Sequence, residues 1–258
     1  MKRFWRDMAT TDFTGDTSDW IAVLPLAAVE QHGPHLPVGV DAFIAEGLVD
    51  RTAAALGDDS KATFLPVQQV CKSNEHISFP GTLTIGWHST IQSWIDIGES
   101  IARAGVRKLI MITSHGGNNA PMEIAARELR QSLGMLVVTT SWGKLGKWQE
   151  IYDYRGTYTD IHAGLSETSL MMALRPDLVD TSKQEGFSSA QTVLKETHEH
   201  LGYHSSNANI SWLSEDLNSA GAVGDASIAT AELGEREITS ILEGFNKLIE
   251  EVEATNAP

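Results

Sequence analysis

Acidic and histidine side chains crowd the segment from residue 30 to 41, directly after the apolar run 21–26. Glu30, His32 and Asp41 lie along a stretch that also contains two prolines, which exclude a regular helix through it. If the apolar run is a strand of an open α/β sheet, these side chains follow its carboxyl end, where such sheets place their chemistry. Nitrogen and oxygen ligands suit zinc, manganese or iron(II), so the segment predicts a divalent-metal site. The alternative is a surface turn whose charges face water.

A second segment with chemical potential, His115-Gly116-Gly117, follows another apolar run and precedes a helical pattern. Glycines let the backbone approach a ligand closely, and amide groups at the start of a helix favour an anion. We therefore expect Gly116 and Gly117 to border the substrate. His115 is expected at the same sheet edge as Glu30, as a further metal ligand. The alternative is a structural histidine before a tight turn.

The third candidate pair is His162 and Glu167, where His162 ends a loop and Glu167 lies in the first turn of a helical pattern. Five positions do not place both on one helical face, but both side chains can still point into one cleft. Glu167 could instead only complement the helix dipole. Because the sequence now offers more carboxylates and imidazoles than one metal requires, it favours a two-metal site with a bridging carboxylate.

Short apolar runs that alternate with helical patterns must position these residues. The predicted strands cover residues 20–26, 62–67, 107–113 and 135–141. The predicted helices cover residues 39–56, 88–105, 119–133, 166–174 and 226–252, the last with Asp225 as its N-cap. Continuously apolar strands suit a sheet that helices cover on both faces. We therefore predict a three-layer α/β/α sandwich with a mainly parallel central sheet, and a long surface excursion over residues 180–220.

Composition restricts the class of protein. The chain has 258 residues, which fits one domain over residues 1–258, and a formal net charge of −15. That charge argues against nucleic acid and against anionic membrane surfaces as partners. It says little about the small-molecule substrate that we expect, because the local charge of the site decides that. The single cysteine, Cys71, excludes an intramolecular disulfide and fits the reducing cytoplasm, where we expect the protein.

An ordered series of motifs resembles the creatininase family of metal-dependent amidohydrolases over about residues 16–245. The matching motifs are Glu30-x-His32-Gly-x-His35 with Asp41, Phe79-Pro80-Gly81-Thr82, Ser114-His115-Gly116-Gly117-Asn118, His162-Ala163-Gly164-x-x-Glu167-Thr168-Ser169 and Gly221-x-x-Gly224-Asp225. The resemblance implies an α/β/α fold, two divalent metal ions per chain and a homohexamer.

The resemblance also implies roles for individual residues. Glu30, Asp41 and His115 would bind one metal, and His32 with Asp41 the other, so that Asp41 bridges. His162 would be the acid/base histidine that handles the proton of the leaving nitrogen. A hydroxide made available by the metals would then attack a carbonyl carbon.

One departure from the family pattern concerns the substrate. Creatininase itself has Tyr-Glu after the ligand histidine, and that Glu binds the second metal, whereas this chain has Gly116 and Gly117. Glu167 is our candidate replacement, as a ligand or as an acid/base group. Creatinine is therefore not the expected substrate, and the Gly-Gly form resembles formamide hydrolases, peptidases of cofactor maturation and hydrolases of a cyclic keto-inositol.

Candidate substrate contacts are fewer. Trp142 and Tyr158 could stack on a flat substrate, or could be core or interface aromatics. His76 could line the pocket or lie behind it. The sequence thus predicts C–N hydrolysis of a cyclic amide or formamide, with C–C cleavage of a cyclic keto-inositol or non-catalytic metal binding as alternatives.

Overall fold

The computed structural model of the protein describes residues 1–152 and 160–257. Its main sheet consists of four parallel strands in the spatial order β2-β1-β3-β4. They are β1 (Ile21–Leu26), β2 (Ala62–Phe64), β3 (Lys108–Thr113) and β4 (Leu136–Ser141). All four predicted strands are confirmed, but β2 ends earlier than predicted. Pro66, two positions after its end, has no amide hydrogen with which to continue the ladder.

Helices alternate with the strands of the main sheet along the chain. The described α-helices are α1 (Val40–Ala55), α2 (Trp87–Arg103), α3 (Asn119–Leu133), α4 (Trp142–Leu145), α5 (Trp148–Tyr152), α6 (Leu165–Leu174), α7 (Ala190–Thr197), α8 (Ser214–Leu217) and α9 (Ala231–Ala254). Short 3₁₀ turns cover Trp5–Asp7, Thr10–Phe13, Asn74–His76, Gly116–Asn118, Pro176–Leu178, Thr181–Lys183 and Ala226–Ile228. Among the described helices, none is both long and apolar enough to cross a membrane.

Two apolar cores lie on opposite faces of the sheet, as the strand period of two requires. Along β1, Ile21 and Val23 pack into the core formed with α1, α6 and α9. The alternate residues Ala22, Leu24 and Leu26 pack into the core formed with α2 and α3. The predicted three-layer sandwich with a parallel sheet is therefore confirmed.

The start of the last helix differs from the prediction. Asp225 accepts a hydrogen bond from the Ser227 amide at 3.1 Å and so caps only the 3₁₀ turn that follows it. The long helix α9 begins six residues later, where the Thr230 hydroxyl accepts from the Leu233 amide at 3.2 Å. Two N-cap signals stand close together here, and the second one starts the α-helix.

Close packing of α6 on α9 fixes the helix that carries Glu167. A Cβ atom at Gly234 would lie 2.0 Å from the backbone oxygen of Ser169, so the two helices touch through backbone. At the other end of α9, the buried Lys108 ammonium donates to the carbonyls of Val252 and Glu253 at 2.8 and 3.0 Å. A cation at a helix C-terminus is stabilising, and this one ties α9 to the start of β3.

The predicted excursion over residues 180–220 contains short elements of its own. They include α7, α8, the strands β5 (Gly186–Phe187), β6 (Leu201–Gly202) and β7 (Ala208–Asn209). β5 pairs antiparallel with β8 (Gly224–Asp225), just after this region. The Gln31 amide donates to the Ser214 hydroxyl and the Gly221 carbonyl, both at 2.9 Å, and so joins the region to the loop after β1.

Candidate metal centre and active site

The carboxyl-terminal edge of the sheet gathers the predicted residues. Glu30 and His32 lie on the loop after β1, Asp41 lies in the first turn of α1, and His115 follows β3. All four are at most 5% exposed. Since parallel strands end at one common edge, segments that are far apart in sequence meet there.

One group of ligand atoms forms around the imidazole of His115. Its Nδ1 lies 3.1 Å from Glu30 Oε1 and 3.9 Å from Asp41 Oδ2. Its Nε2 points the other way and donates to the Lys72 carbonyl at 2.9 Å. A carbonyl accepts only, so Nε2 carries a proton. Although burial opposes the charged form of His115, the Glu30 carboxylate raises the pKa of this ring well above its usual range, so Nδ1 also holds a proton toward the carboxylates until a cation takes its place.

A second group shares Asp41. His32 Nε2 lies 3.7 Å from Asp41 Oδ2 and 3.8 Å from Glu167 Oε2. The His32 Nδ1 donates to the carbonyl of Glu30 at 3.0 Å, which leaves the Nε2 lone pair facing the carboxylates. In each group the ligand atoms lie within 4.8 Å of one another, and the same holds for a third group, Glu30, His32 and His162.

His162 faces the same cluster from the loop before α6. Its Nδ1 is 3.8 Å from Glu30 Oε1 and 4.0 Å from Glu167 Oε2, and its Nε2 donates to the Gln31 carbonyl at 2.7 Å. Glu167 in turn accepts from the Ala163 amide at 2.5 Å. Ala163 has a φ of 56°, a left-handed conformation that costs energy for alanine and brings His162 and Glu167 to the same cleft.

The electrostatics of the cluster call for cations. Burial, and then the Glu30 carboxylate, raises the pKa of Asp41 well above its usual range. Burial, and then the neighbouring His162, lowers the pKa of His32 well below its usual range. Burial also raises the pKa of Glu167. The like charges therefore oppose one another when no cation lies between them.

Several ligand atoms are also unsatisfied. Glu30 Oε2, His32 Nε2 and Asp41 Oδ2 are buried and have no hydrogen-bond partner among the described residues. Buried polar atoms without partners are costly, and metal coordination removes that cost. Carboxylate oxygens and imidazole nitrogens with their lone pairs turned inward are the donor set that zinc or manganese takes. The residues present thus fit divalent metal ions.

Residues that surround the cluster contact its members and hold them in place. The His76 Nε2 lies 3.2 Å from Glu30 Oε1, and its Nδ1 accepts from the Gln31 amide at 2.8 Å. Asn118 donates to the Ala27 carbonyl at 2.9 Å and so ties the loops after β1 and β3 together. The signal for His76 was its place shortly after β2, at the same edge of the sheet.

A cavity of about 330 Å³ opens beside His162 and Glu167. Lys144, Trp148 and His204 also line it, and none of the three was predicted as a site residue. Lys144 and Trp148 lie in the segment directly after β4, and the rule that a parallel sheet places chemistry after its strands could have pointed to them.

Some predicted substrate contacts lie elsewhere. Trp142 is only 2% exposed and stacks on Phe245 in the core, with ring centroids 5.4 Å apart, so it matches the alternative of a core aromatic. His76 is 1% exposed and lies behind Glu30. Tyr158 falls outside the described residues.

The two glycines of the second motif do not line the cavity beside His162 either. A Cβ atom at Gly116 would meet nothing within 4 Å, whereas one at Gly117 would lie 2.4 Å from His115 Nε2. Gly117 therefore serves the packing around His115.

Comparison with known proteins gives relatives of several activities. The chain is 31% identical to the creatinine amidohydrolase of Pseudomonas putida, over 69% of this chain and 72% of that protein. It is 30% identical to the mycofactocin precursor peptide peptidase of Mycobacterium tuberculosis, over 91% of this chain and 86% of the relative. It is 23% identical to the 3-dehydro-scyllo-inosose hydrolase of Thermotoga maritima, over 90% of this chain and 77% of that protein.

Solved structures agree with the fold. A manganese form of creatininase superimposes with a TM-score of 0.78 at 26% identity, covering 97% of this chain and 98% of that one. A Zn–Zn form of a creatininase variant gives a TM-score of 0.77 at the same identity and coverage. The sequence model of the creatininase family, described as creatinine amidohydrolase, matches residues 6–249. The chain therefore belongs to the creatininase family and is a metal-dependent hydrolase.

Proposed function

We propose that this protein is a binuclear metallohydrolase that cleaves a C–N bond in a small polar amide, a cyclic amide or formamide. The observation that carries the proposal is the cluster of carboxylates and imidazoles at the sheet edge, which forms three overlapping groups of possible metal ligands and contains buried ligand atoms without hydrogen-bond partners among the described residues. Glu30, Asp41 and His115 would hold one metal ion, and His32, Asp41 and Glu167 the other. Asp41 belongs to both groups.

Bound metal ions would supply Lewis-acid activation of a water and of the substrate carbonyl. The chain's own residues would then manage the protons. Because His162 Nε2 donates to the Gln31 carbonyl, its Nδ1 is free to take a proton and to pass it to the leaving nitrogen. His162 lines the cavity, so an amide bound there would lie beside this residue.

A C–C hydrolase of a cyclic keto-inositol is the second candidate, which the likeness to the Thermotoga maritima hydrolase favours. Both reactions use attack on a carbonyl carbon, but only C–N cleavage needs a proton donor for a leaving nitrogen. Screening purified protein against cyclic amides, formamides, short peptides and cyclic diketones separates them. Opening of a cyclic amide to an amino acid, or release of formate with an amine or ammonia from a formamide, supports our proposal, and turnover of peptides or diketones alone would reject it.

We also infer that the chain forms a homo-oligomer, a hexamer by family likeness, in the cytoplasm. Large apolar side chains lie exposed along residues 77–87, among them Ile77 at 61%, Leu83 at 53% and Trp87 at 52%. Neighbouring exposed apolar residues of this size mark interaction surfaces. The segment follows Glu75 and His76 directly, so an interface there would border the metal centre.

A further inference from the structure

Glu75 occupies the space that a side chain at position 117 would need. A Cβ atom built on Gly117 would lie 2.1 Å from Glu75 Oε1 and 2.4 Å from His115 Nε2. Cβ atoms essentially never approach other atoms this closely, so position 117 must be glycine while Glu75 and His115 stay where they are. The glycine thus permits a contact between a carboxylate and an imidazole.

That contact is made at the outer nitrogen of the ring. Glu75 Oε1 lies 3.3 Å from His115 Nε2, and the Glu75 side chain is 17% exposed. The inner nitrogen, Nδ1, faces Glu30 Oε1 at 3.1 Å. Glu75 and Glu30 therefore flank His115 at opposite ring nitrogens. This arrangement places Glu75 outside the groups of atoms that could hold a metal ion.

We infer that Glu75 is a positioning residue for His115, an inference that rests on the proposed metal centre. The Lys72 carbonyl accepts from the Nε2 proton, and the Glu75 carboxylate lies 3.3 Å from the same nitrogen, so these two groups hold a proton on Nε2 and fix the orientation of the ring. A carboxylate behind a ligand histidine also makes the inner nitrogen a stronger donor to a metal. Glu75 acts on the metal held with Glu30 and Asp41 only through His115.

The turn that carries Glu75 also contacts Glu30, which belongs to the same group of ligand atoms as His115. His76, the next residue of the Asn74–His76 turn, places its Nε2 3.2 Å from Glu30 Oε1. Its Nδ1 accepts from the Gln31 amide, which fixes this ring as well. Two consecutive residues of one short turn thus contact His115 and Glu30 from behind. A turn that served only to connect elements would not need both contacts.

The test is metal affinity rather than turnover. Zinc and manganese binding would be measured by competition with a chromophoric chelator, together with metal content, for the full chain and for Glu75→Gln and Glu75→Ala. We expect Glu75→Ala to weaken one of two metal sites about 10–100-fold and to leave the other unchanged. Glu75→Gln keeps an acceptor oxygen without the charge, so it should recover part of the loss. Glu99→Gln, an exposed Glu on α2, is the matched control and should bind as the unmodified protein does.

The outcomes separate this inference from the proposed function. If the unmodified protein binds fewer than two metal ions, the proposed binuclear centre is wrong. If it binds two, and both Glu75 variants bind them with unchanged affinity, the positioning role of Glu75 is wrong. If Glu75→Ala does not fold, the Glu75→Gln measurement decides, because that variant conserves volume.

Discussion

Asp41 Oδ2 lies 3.7 Å from His32 Nε2, too far for a hydrogen bond and close enough for both atoms to contact one cation. Both atoms are buried, and neither has a hydrogen-bond partner in the described part of the chain. Two groups that could have paired directly are instead held apart. This spacing is what a site built around an ion requires, and a structural ion pair would not explain it.

The first prediction concerns Asp41, which belongs to both groups of ligand atoms. Asp41→Asn should weaken metal affinity at both sites. The loss should exceed the roughly 10–100-fold that removal of a residue in contact with a ligand, but not itself a ligand, produces. Metal-free Asp41→Asn should also unfold at a higher temperature than the metal-free parent, because one of the opposed carboxylates is gone. Metal analysis and thermal unfolding measure these effects, with the exposed Asp50→Asn as control. Loss of only one metal would contradict a bridging role.

The second prediction concerns pH and the buried Glu237. Burial raises its pKa to about 7, although the hydroxyls of Tyr152 and Ser166 donate to the carboxylate. Between the ordinary carboxyl pKa and 7 the folded protein therefore holds a proton that the unfolded chain has released. The free energy of unfolding should fall as pH rises through this window, by up to about 3 kcal/mol from this group.

Glu237→Gln removes that titration and should flatten the decline. Denaturant unfolding at pH 5 and pH 7.5 provides the measurement, and the difference between variant and parent isolates Glu237 from other titrating groups. An unchanged slope in the variant would mean that Glu237 is ionised in the folded protein throughout.

The sequence predicted the sheet well because β1, β2 and β3 are buried along their whole length. β1 and β3 read as unbroken apolar runs, and each ends at a residue next to the site. Glu30, His32, Asp41 and His115 could be placed together by the rule that parallel strands end at one edge. The start of α9 was misplaced because Asp225 and Thr230 are both good N-caps, and only the packing of the helix selects between them.

Side-chain direction could not be read from the sequence. Trp142 directly follows β4, a position typical of site residues, but its ring packs in the core against Phe245. Glu75 belongs to none of the motifs, and its contact with His115 depends on the absence of a side chain at Gly117, a relationship that local sequence does not show. Contacts between loops that are far apart in sequence depend on tertiary packing, so the local sequence pattern does not predict them.

The third prediction tests the close contact of α6 with α9. Gly234→Ala would place its Cβ 2.0 Å from the Ser169 backbone oxygen, and backbone cannot move aside as a side chain can. We expect a loss of about 1–3 kcal/mol or more in the free energy of unfolding. Gly57→Ala is the control, because its Cβ would meet nothing within 4 Å. Equal stability of the two variants would mean that the helices separate without cost.

The fourth prediction concerns assembly through residues 77–87. Light scattering should find the parent protein as an oligomer at micromolar concentration. Leu83→Arg should yield smaller species, because a charge in a buried apolar interface is costly. Ile124→Arg, an equivalent change at an exposed position of α3, should leave the mass unchanged. A monomeric parent would refute the assembly, and dissociation by Ile124→Arg would assign the interface to a different surface.

The last prediction separates the roles of Glu167 and His162. Glu167 Oε2 lies 3.8 Å from the unpartnered His32 Nε2, which fits a ligand to the second metal, whereas His162 Nδ1 is suited to carry a proton. Glu167→Gln should weaken one metal site and lower turnover, because a neutral amide binds a divalent ion far less well than a carboxylate does. His162→Asn should keep both metals and lose turnover by roughly 10²–10⁴-fold. Retention of two metals by Glu167→Gln, with activity lost, would instead make Glu167 the acid/base residue and leave the second metal to His32, Asp41 and solvent.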